Sequence, residues 1–250
     1  MTFTLRQKLT IIPLLFYWPI LFVLTHIPIP LPQLAFEIPV SDKTLHFLAY
    51  FILVFLLWLA ISPGKKVNWR RATAWWVLVV VVLYGVFDEW IQSFVSRNAD
   101  VMDFFADLAG ALAGLILFSI FPFWPASVAL AGAVIFILTN FMRANLTDLL
   151  PVTTAVFHLI AYGLFSLLWT RYIYHCLPIK APQLKWLIGA LALPTGLLLA
   201  VELFSVVVGN DFSLLHTIIS IVGIATVVTA IYLTALSRQG FTQKSMPRDS

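Results

Sequence analysis

Eight stretches of this chain are each close to the length a helix needs to cross a lipid bilayer and nearly free of charge. They lie near residues 11–27, 43–61, 72–94, 101–121, 125–142, 154–173, 184–207 and 213–236. A bilayer core is crossed by about 20 helical residues. Within it every backbone N–H and C=O must be paired inside the segment, which selects helix over strand for isolated runs of this length. Composition agrees: 61% of residues are hydrophobic and 10% charged, with mean hydropathy +0.98, whereas soluble proteins carry roughly 25% charged residues. The predicted fold is all-α, a polytopic membrane protein of about eight transmembrane helices. No polar stretch is long enough for a separate soluble domain, and none offers a basic surface for nucleic acid. Cys176 is the only cysteine, which excludes an intramolecular disulfide and a multi-thiolate metal site.

Arg6 and Lys8 precede the first apolar run, which ends in "THIPIPLP" with no small-x-small cleavage pattern. A retained first helix is therefore expected. The connection "FPFWPA" (121–126) makes the fourth and fifth helices a hairpin, and Pro194 and Gly196 are expected to interrupt the seventh. With the N-terminus in the cytoplasm, the inner segments hold Arg6, Lys8, Lys65, Lys66, Arg70, Arg71, Arg171, Lys180, Lys185, Arg238, Lys244 and Arg248. The outer side then holds Lys43, Arg97 and Arg143. Twelve cations against three place both termini in the cytoplasm. The run "KKVNWRR" (65–71) reads as a topology determinant, and the last stretch, 237–250, as a disordered polar tail.

The sequence also repeats. "LHFLAYFILVFLLW" (45–58) resembles "FHLIAYGLFSLLW" (157–169), and "FVLTH" (22–26) resembles "FILTN" (136–140). His46 pairs with His158, Tyr50 with Tyr162, Glu89 with Glu202 and Gly110 with Gly223, at offsets of 112 to 113. The order holds through four helices, so a tandem duplication of a four-helix unit is expected: 1–122, then a degenerate copy over 123–236. An even helix count per unit makes the two halves parallel.

Acidic residues are concentrated within this frame. "FDEWIQSFVSRNADVMDFFADLAG" (87–110) holds five of the chain's eleven. Asp100, Asp103, Asp107, Gly110 and Gly114 follow at steps of 3, 4, 3 and 4, which puts them on one stripe of the fourth helix. The two glycines form a small-xxx-small face for a neighbouring helix, so the carboxylates point at protein or a polar cavity and not at lipid. Asp100 also suits the first turn of a helix by its charge, and Asp42, which becomes Thr154 in the second half, suits an N-cap. Glu89 and Gln92 are placed together near the outer end of the third helix. A carboxylate within a span costs roughly 2.5–3.5 kcal/mol on an insertion scale, which favours a functional role. His46 and Tyr50, four apart on one face, read either as a hydrogen-bonded pair inside the bundle or as an imidazole held for proton transfer or phosphate binding. Arg97, Asp103 and Asp107 become Asn210, His216 and Ser220 in the second half. The charge constellation belongs to the first half alone.

Two motifs resemble those of the VanZ-like family of bacterial membrane proteins. "DKTLHFLAY" supplies Asp42, Lys43, His46, Phe47 and Tyr50, and the second motif supplies Glu89, Gln92, Phe94, Arg97, Asp100, Asp103, Gly110 and Gly114. Asp107 stands where the family usually shows asparagine. The resemblance covers roughly residues 10–120. It implies a protein of the bacterial cell envelope, in the cytoplasmic membrane, with a link to glycopeptide susceptibility; it names no reaction and no cofactor.

The expected role is binding or modifying a lipid-linked phosphate or glycan headgroup at the outer leaflet. Glu89, Asp103 and His46 are the expected acid–base groups. Lys43, Arg97, Gln92, Asp100, Asp107 and Tyr50 are the expected headgroup contacts, and His158, Tyr162, Glu202 and His216 their second-half counterparts. No fixed metal-ligand spacing is visible. A divalent ion on His46, Asp103 and Asp107 is a further variant, with oxygen ligands favouring Mg²⁺ or Mn²⁺. The alternatives are a proton-coupled or lipid-flipping transporter, and a non-catalytic structural or assembly protein.

Overall fold

A computed structural model describes residues 5–26, 42–94, 100–149, 151–209 and 212–244. These form eight helices: α1 (Leu5–His26), α2 (Asp42–Ile61), α3 (Ala72–Gln92), α4 (Val101–Ile120), α5 (Phe123–Leu149), α6 (Pro151–Cys176), α7 (Leu184–Val207) and α8 (Leu214–Lys244). No strand occurs among the described residues. Seven helices, α2 to α8, are long and apolar enough to cross a membrane, while α1 carries a shorter apolar run, Thr10–Val23. The protein is an all-α, multi-pass membrane protein.

Two elements run further than their apolar sequence. α5 continues to Leu149, and α8 continues to Lys244 through part of the expected polar tail. An apolar run marks where lipid ends, and a helix need not end there. α7 is continuous despite Pro194; next to it, Thr195 Oγ1 donates to the Leu191 carbonyl at 2.6 Å.

The chain divides into two compact units, 1–126 and 127–250. In the first, α2 packs along α4, with α1 against α2 and α3 against α4. Gly110 permits the central contact: a Cβ there would overlap the Phe47 carbonyl oxygen of α2. One turn on, a Cβ at Gly114 would lie 3.1 Å from Val54 Cγ1 and 3.3 Å from the Phe51 carbonyl oxygen. Tyr50, Leu53, Val54, Leu115 and Phe118 are almost wholly buried in the seam. Trp76, Leu83, Phe87, Trp90 and Phe105 point outward from α3 and α4, the arrangement expected where the solvent is lipid.

One end of this unit is closed by its α2–α3 connection. Gly64 takes φ +78° in the turn after α2, a conformation that costs glycine little. Val67 N–H then donates to the Phe118 carbonyl at 3.0 Å, and Trp69 Nε1 to Ser119 Oγ at 2.8 Å. The loop is thereby tied to the C-terminal end of α4. The N-terminal ends of α2 and α4 lie at the opposite end of the unit.

In the second unit, α6 packs along α8, and α7 contacts both. Its core gathers Val128, Ile135, Tyr162, Phe165, Ile173, Trp186, Leu198 and Ile224. A Cβ at Gly223 would come within 2.7 Å of the Leu159 carbonyl oxygen.

Candidate functional site

The first turn of α4 builds the outer part of the site. Asp100 precedes the helix in extended conformation, and its side chain accepts the Met102 N–H at 2.9 Å. This is an N-cap, which satisfies one of the amides that a helix start leaves without an internal partner. The same carboxylate takes Lys43 Nζ from α2 at 2.7 Å. Lys43 and the capped amide together hold the Asp100 carboxyl below the usual aspartate range. Both side chains are nearly half exposed, 45% and 46%, so the pair is screened and easily exchanged.

One turn inward the environment changes. Asp103, with a side chain only 7% exposed, receives Lys43 Nζ at 3.3 Å and places Oδ2 4.0 Å from His46 Nε2. Asp107, one turn deeper and 2% exposed, has Oδ1 3.0 Å from His46 Nδ1. An ionised carboxylate can only accept, so in that state the hydrogen of this bond resides on Nδ1. The second oxygen, Asp107 Oδ2, is buried without a hydrogen-bond partner, as is Tyr50 Oη. A narrow gap lined by Tyr50, Gly85, Phe104 and Asp107 adjoins them; a Cβ at Gly85 would stand 3.6 Å from Asp107 Oδ2.

The third wall is α3. Glu89 accepts the Asp100 N–H through Oε2 at 3.2 Å and thereby joins the end of α3 to the start of α4. Its Oε1 is buried with no hydrogen-bond partner. His46, Glu89 and Asp107 each present one ligand-type atom, and the three atoms lie within 4.8 Å of one another. The sequence suggested Asp103 in that set. Asp103 instead engages Lys43, and Glu89 takes its place.

Arg97 lies outside the described residues, as does the side chain of Asp42. Gln92 is buried, and its amide donates to Asp88 Oδ2 at 3.1 Å on its own helix. Asp88 was not anticipated: it is fully buried, at 0% exposure. Its signal lies in the buried stripe of α3, where Ala74, Val77, Val81, Gly85, Asp88 and Gln92 recur at helical spacing. Pairing Glu89 with Gln92 followed the neighbouring face and passed it over. Tyr84 was also missed; its ring sits 5.9 Å from that of Tyr50 and meets Trp18 edge-on at 5.3 Å.

The second-half counterparts hold different partners. His158 Nδ1 lies 3.0 Å from Ser220 Oγ, and the Ser220 hydroxyl donates to the His216 carbonyl at 2.8 Å. That hydroxyl has one hydrogen, so at Ser220 the bond from His158 is accepted. The rings of His158 and His216 stack with centroids 4.8 Å apart and 7° between planes. Tyr162 is fully buried, and Glu202 accepts Thr217 Oγ1 at 3.1 Å.

Residues 2–122 match the model of the VanZ/LLP1 family, in agreement with the two motifs, and the first half of the chain is VanZ-like. An uncharacterized protein of the fission yeast Schizosaccharomyces pombe is 33% identical over 84 residues, which cover 33% of this chain and 49% of that protein. The chain therefore spans about half the length of the curated relative it matches. No solved structure matches the chain.

Proposed function

We propose, from the VanZ-like character of residues 2–122, that this protein binds or modifies a phosphate- or glycan-bearing lipid headgroup at one membrane face. The site lies where the N-terminal ends of α2 and α4 meet the C-terminal end of α3. One observation carries this reading. A buried imidazole–carboxylate pair, His46 and Asp107, stands beside buried carboxylate oxygens that have no hydrogen-bond partner, below an exposed lysine. Burying polar atoms without partners costs on the order of 1–3 kcal/mol each. A contact that only locks helices has no use for that cost.

Lys43 supplies the entry point. It is the half-exposed cation of the site and already rests on Asp100 and Asp103, so an incoming phosphate would exchange with surface carboxylates and leave the deeper groups in place. Asp107 orients His46, which suits proton transfer at neutral pH. Glu89, at the α3–α4 junction, is the second acid–base group.

The wider reading follows the charge distribution and the repeat. Twelve cations against three favour cytoplasmic termini and a site on the outer face of a bacterial cytoplasmic membrane, with a link to glycopeptide susceptibility as in the VanZ resemblance. Tandem duplication is supported by two like contacts at offsets of 112 and 113: Gly110 on the Phe47 carbonyl, and Gly223 on the Leu159 carbonyl. The Lys43 ion pairs join α2 to α4, and by themselves they favour a second reading, a structural lock.

Native mass spectrometry separates the two. Protein extracted in mild detergent is compared with Lys43→Gln and Arg97→Gln at matched expression. A retained anionic isoprenoid or phospholipid that is lost in either variant supports the headgroup site. Identical lipid adducts on three equally folded proteins would leave the lock.

A further inference from the structure

Two carboxylates of the site, Glu89 and Asp107, each keep an oxygen that nothing among the described residues satisfies. Glu89 of α3 and Asp100, Asp103 and Asp107 at the start of α4 converge beside the N-terminal end of α2, where Lys43 pairs with two of them. Lys43 satisfies the two outer carboxylates, Asp100 and Asp103. Glu89 Oε1 and Asp107 Oδ2 remain buried without a hydrogen-bond partner. Both oxygens belong to the carboxylates whose ligand-type atoms gather with an imidazole nitrogen of His46 inside 4.8 Å.

We propose that His46, Glu89 and Asp107 hold one divalent metal ion. Three helices supply the ligands, one each from α2, α3 and α4. The 3.0 Å contact between His46 Nδ1 and Asp107 Oδ1 is the hydrogen bond already described, and an ion bound through Nδ1 would replace it. The mixed set of one imidazole and two carboxylates points to Zn²⁺ or Mn²⁺. Mg²⁺ and Ca²⁺ prefer oxygen ligands throughout. Among the described residues the second unit has no such set: the equivalent contacts are His158 with the neutral Ser220, and Glu202 with Thr217.

This inference rests on the headgroup reading, because the ion would supply the inner positive charge that draws a phosphate past Lys43. The purified full chain in mild detergent is stripped with chelator, then loaded with Zn²⁺ alone or Mn²⁺ alone and desalted, and bound metal is counted by mass spectrometry. Mg²⁺ and Ca²⁺ are run alongside. Wild type should retain about one Zn²⁺ or Mn²⁺ per chain, and Glu89→Gln and Asp107→Asn should each bind at least about tenfold more weakly. Glu202→Gln should bind like wild type. Should Asp107→Asn fail to fold, Glu89→Gln decides, since Glu89 is only partly buried. Failure of wild type to retain metal, or equal retention in Glu89→Gln, overturns the proposal. Lipid retention is scored in the same samples: metal without bound lipid keeps the ion site and removes the headgroup reading, whereas bound lipid on a wild type that takes up no metal does the reverse.

Discussion

The α2–α4 seam of the first unit and the α6–α8 seam of the second share one kind of contact and carry different chemistry. In each, a glycine lies against a backbone carbonyl of the facing helix, Gly110 on Phe47 and Gly223 on Leu159. Each also has a buried histidine bonded through Nδ1 at 3.0 Å, to Asp107 in one and Ser220 in the other. Where the second unit holds Val201 and Ser220, the first holds Asp88 and Asp107, all nearly or wholly buried. The packing therefore does not require the charges. A helix seam of this kind closes on neutral partners, and the carboxylates of the first unit need another explanation.

The largest predicted difference lies at the histidine partner. Asp107→Ala removes one member of a buried pair and should destabilise the first unit by about 3–5 kcal/mol. Ser220→Ala removes a neutral hydrogen bond and should cost about 1 kcal/mol. Thermal unfolding in detergent measures both, and equal losses would break the contrast. Next comes Gly110→Ala, which forces a methyl group into backbone and should cost about 1–3 kcal/mol or more by overpacking. Gly223→Ala meets its carbonyl at 2.7 Å and should cost less. The reverse order would place the tighter seam in the second unit.

The smallest effect belongs to the exposed Lys43–Asp100 pair. The folded-state pKa of Asp100 is depressed, so its contribution is present above the ordinary aspartate value of about 3.9 and is lost as pH falls through the lower folded value. Lys43→Gln should flatten that acid-side dependence and leave neutral-pH unfolding little changed. Added salt should mimic the substitution, because exposed pairs are screened. A large loss of stability at neutral pH in this variant would instead mark Lys43 as a structural lock.

Much of this architecture was legible because lipid imposes simple rules. Run length located the spans, and the spacing of Asp103, Asp107, Gly110 and Gly114 located the face of α4 that meets α2. The limits have physical causes. Helix ends beyond the lipid, as at Leu149 and Lys244, are set by local bonding that hydropathy does not record. Asp88 was hidden because adjacent residues on a helix face directions about 100° apart, and Glu89 drew attention to its own direction alone. The stacking of His216 on His158 depends on how α6 and α8 approach, and a residue correspondence alone does not specify that approach.

The central claim is that the first unit binds a ligand that the second does not. Native mass spectrometry of the paired variants Glu89→Gln and Glu202→Gln, beside wild type, tests it most directly. The account predicts that a tightly held anionic lipid disappears in Glu89→Gln and persists in Glu202→Gln, with all three proteins unfolding at similar temperatures. Identical adducts in wild type and both variants would contradict it.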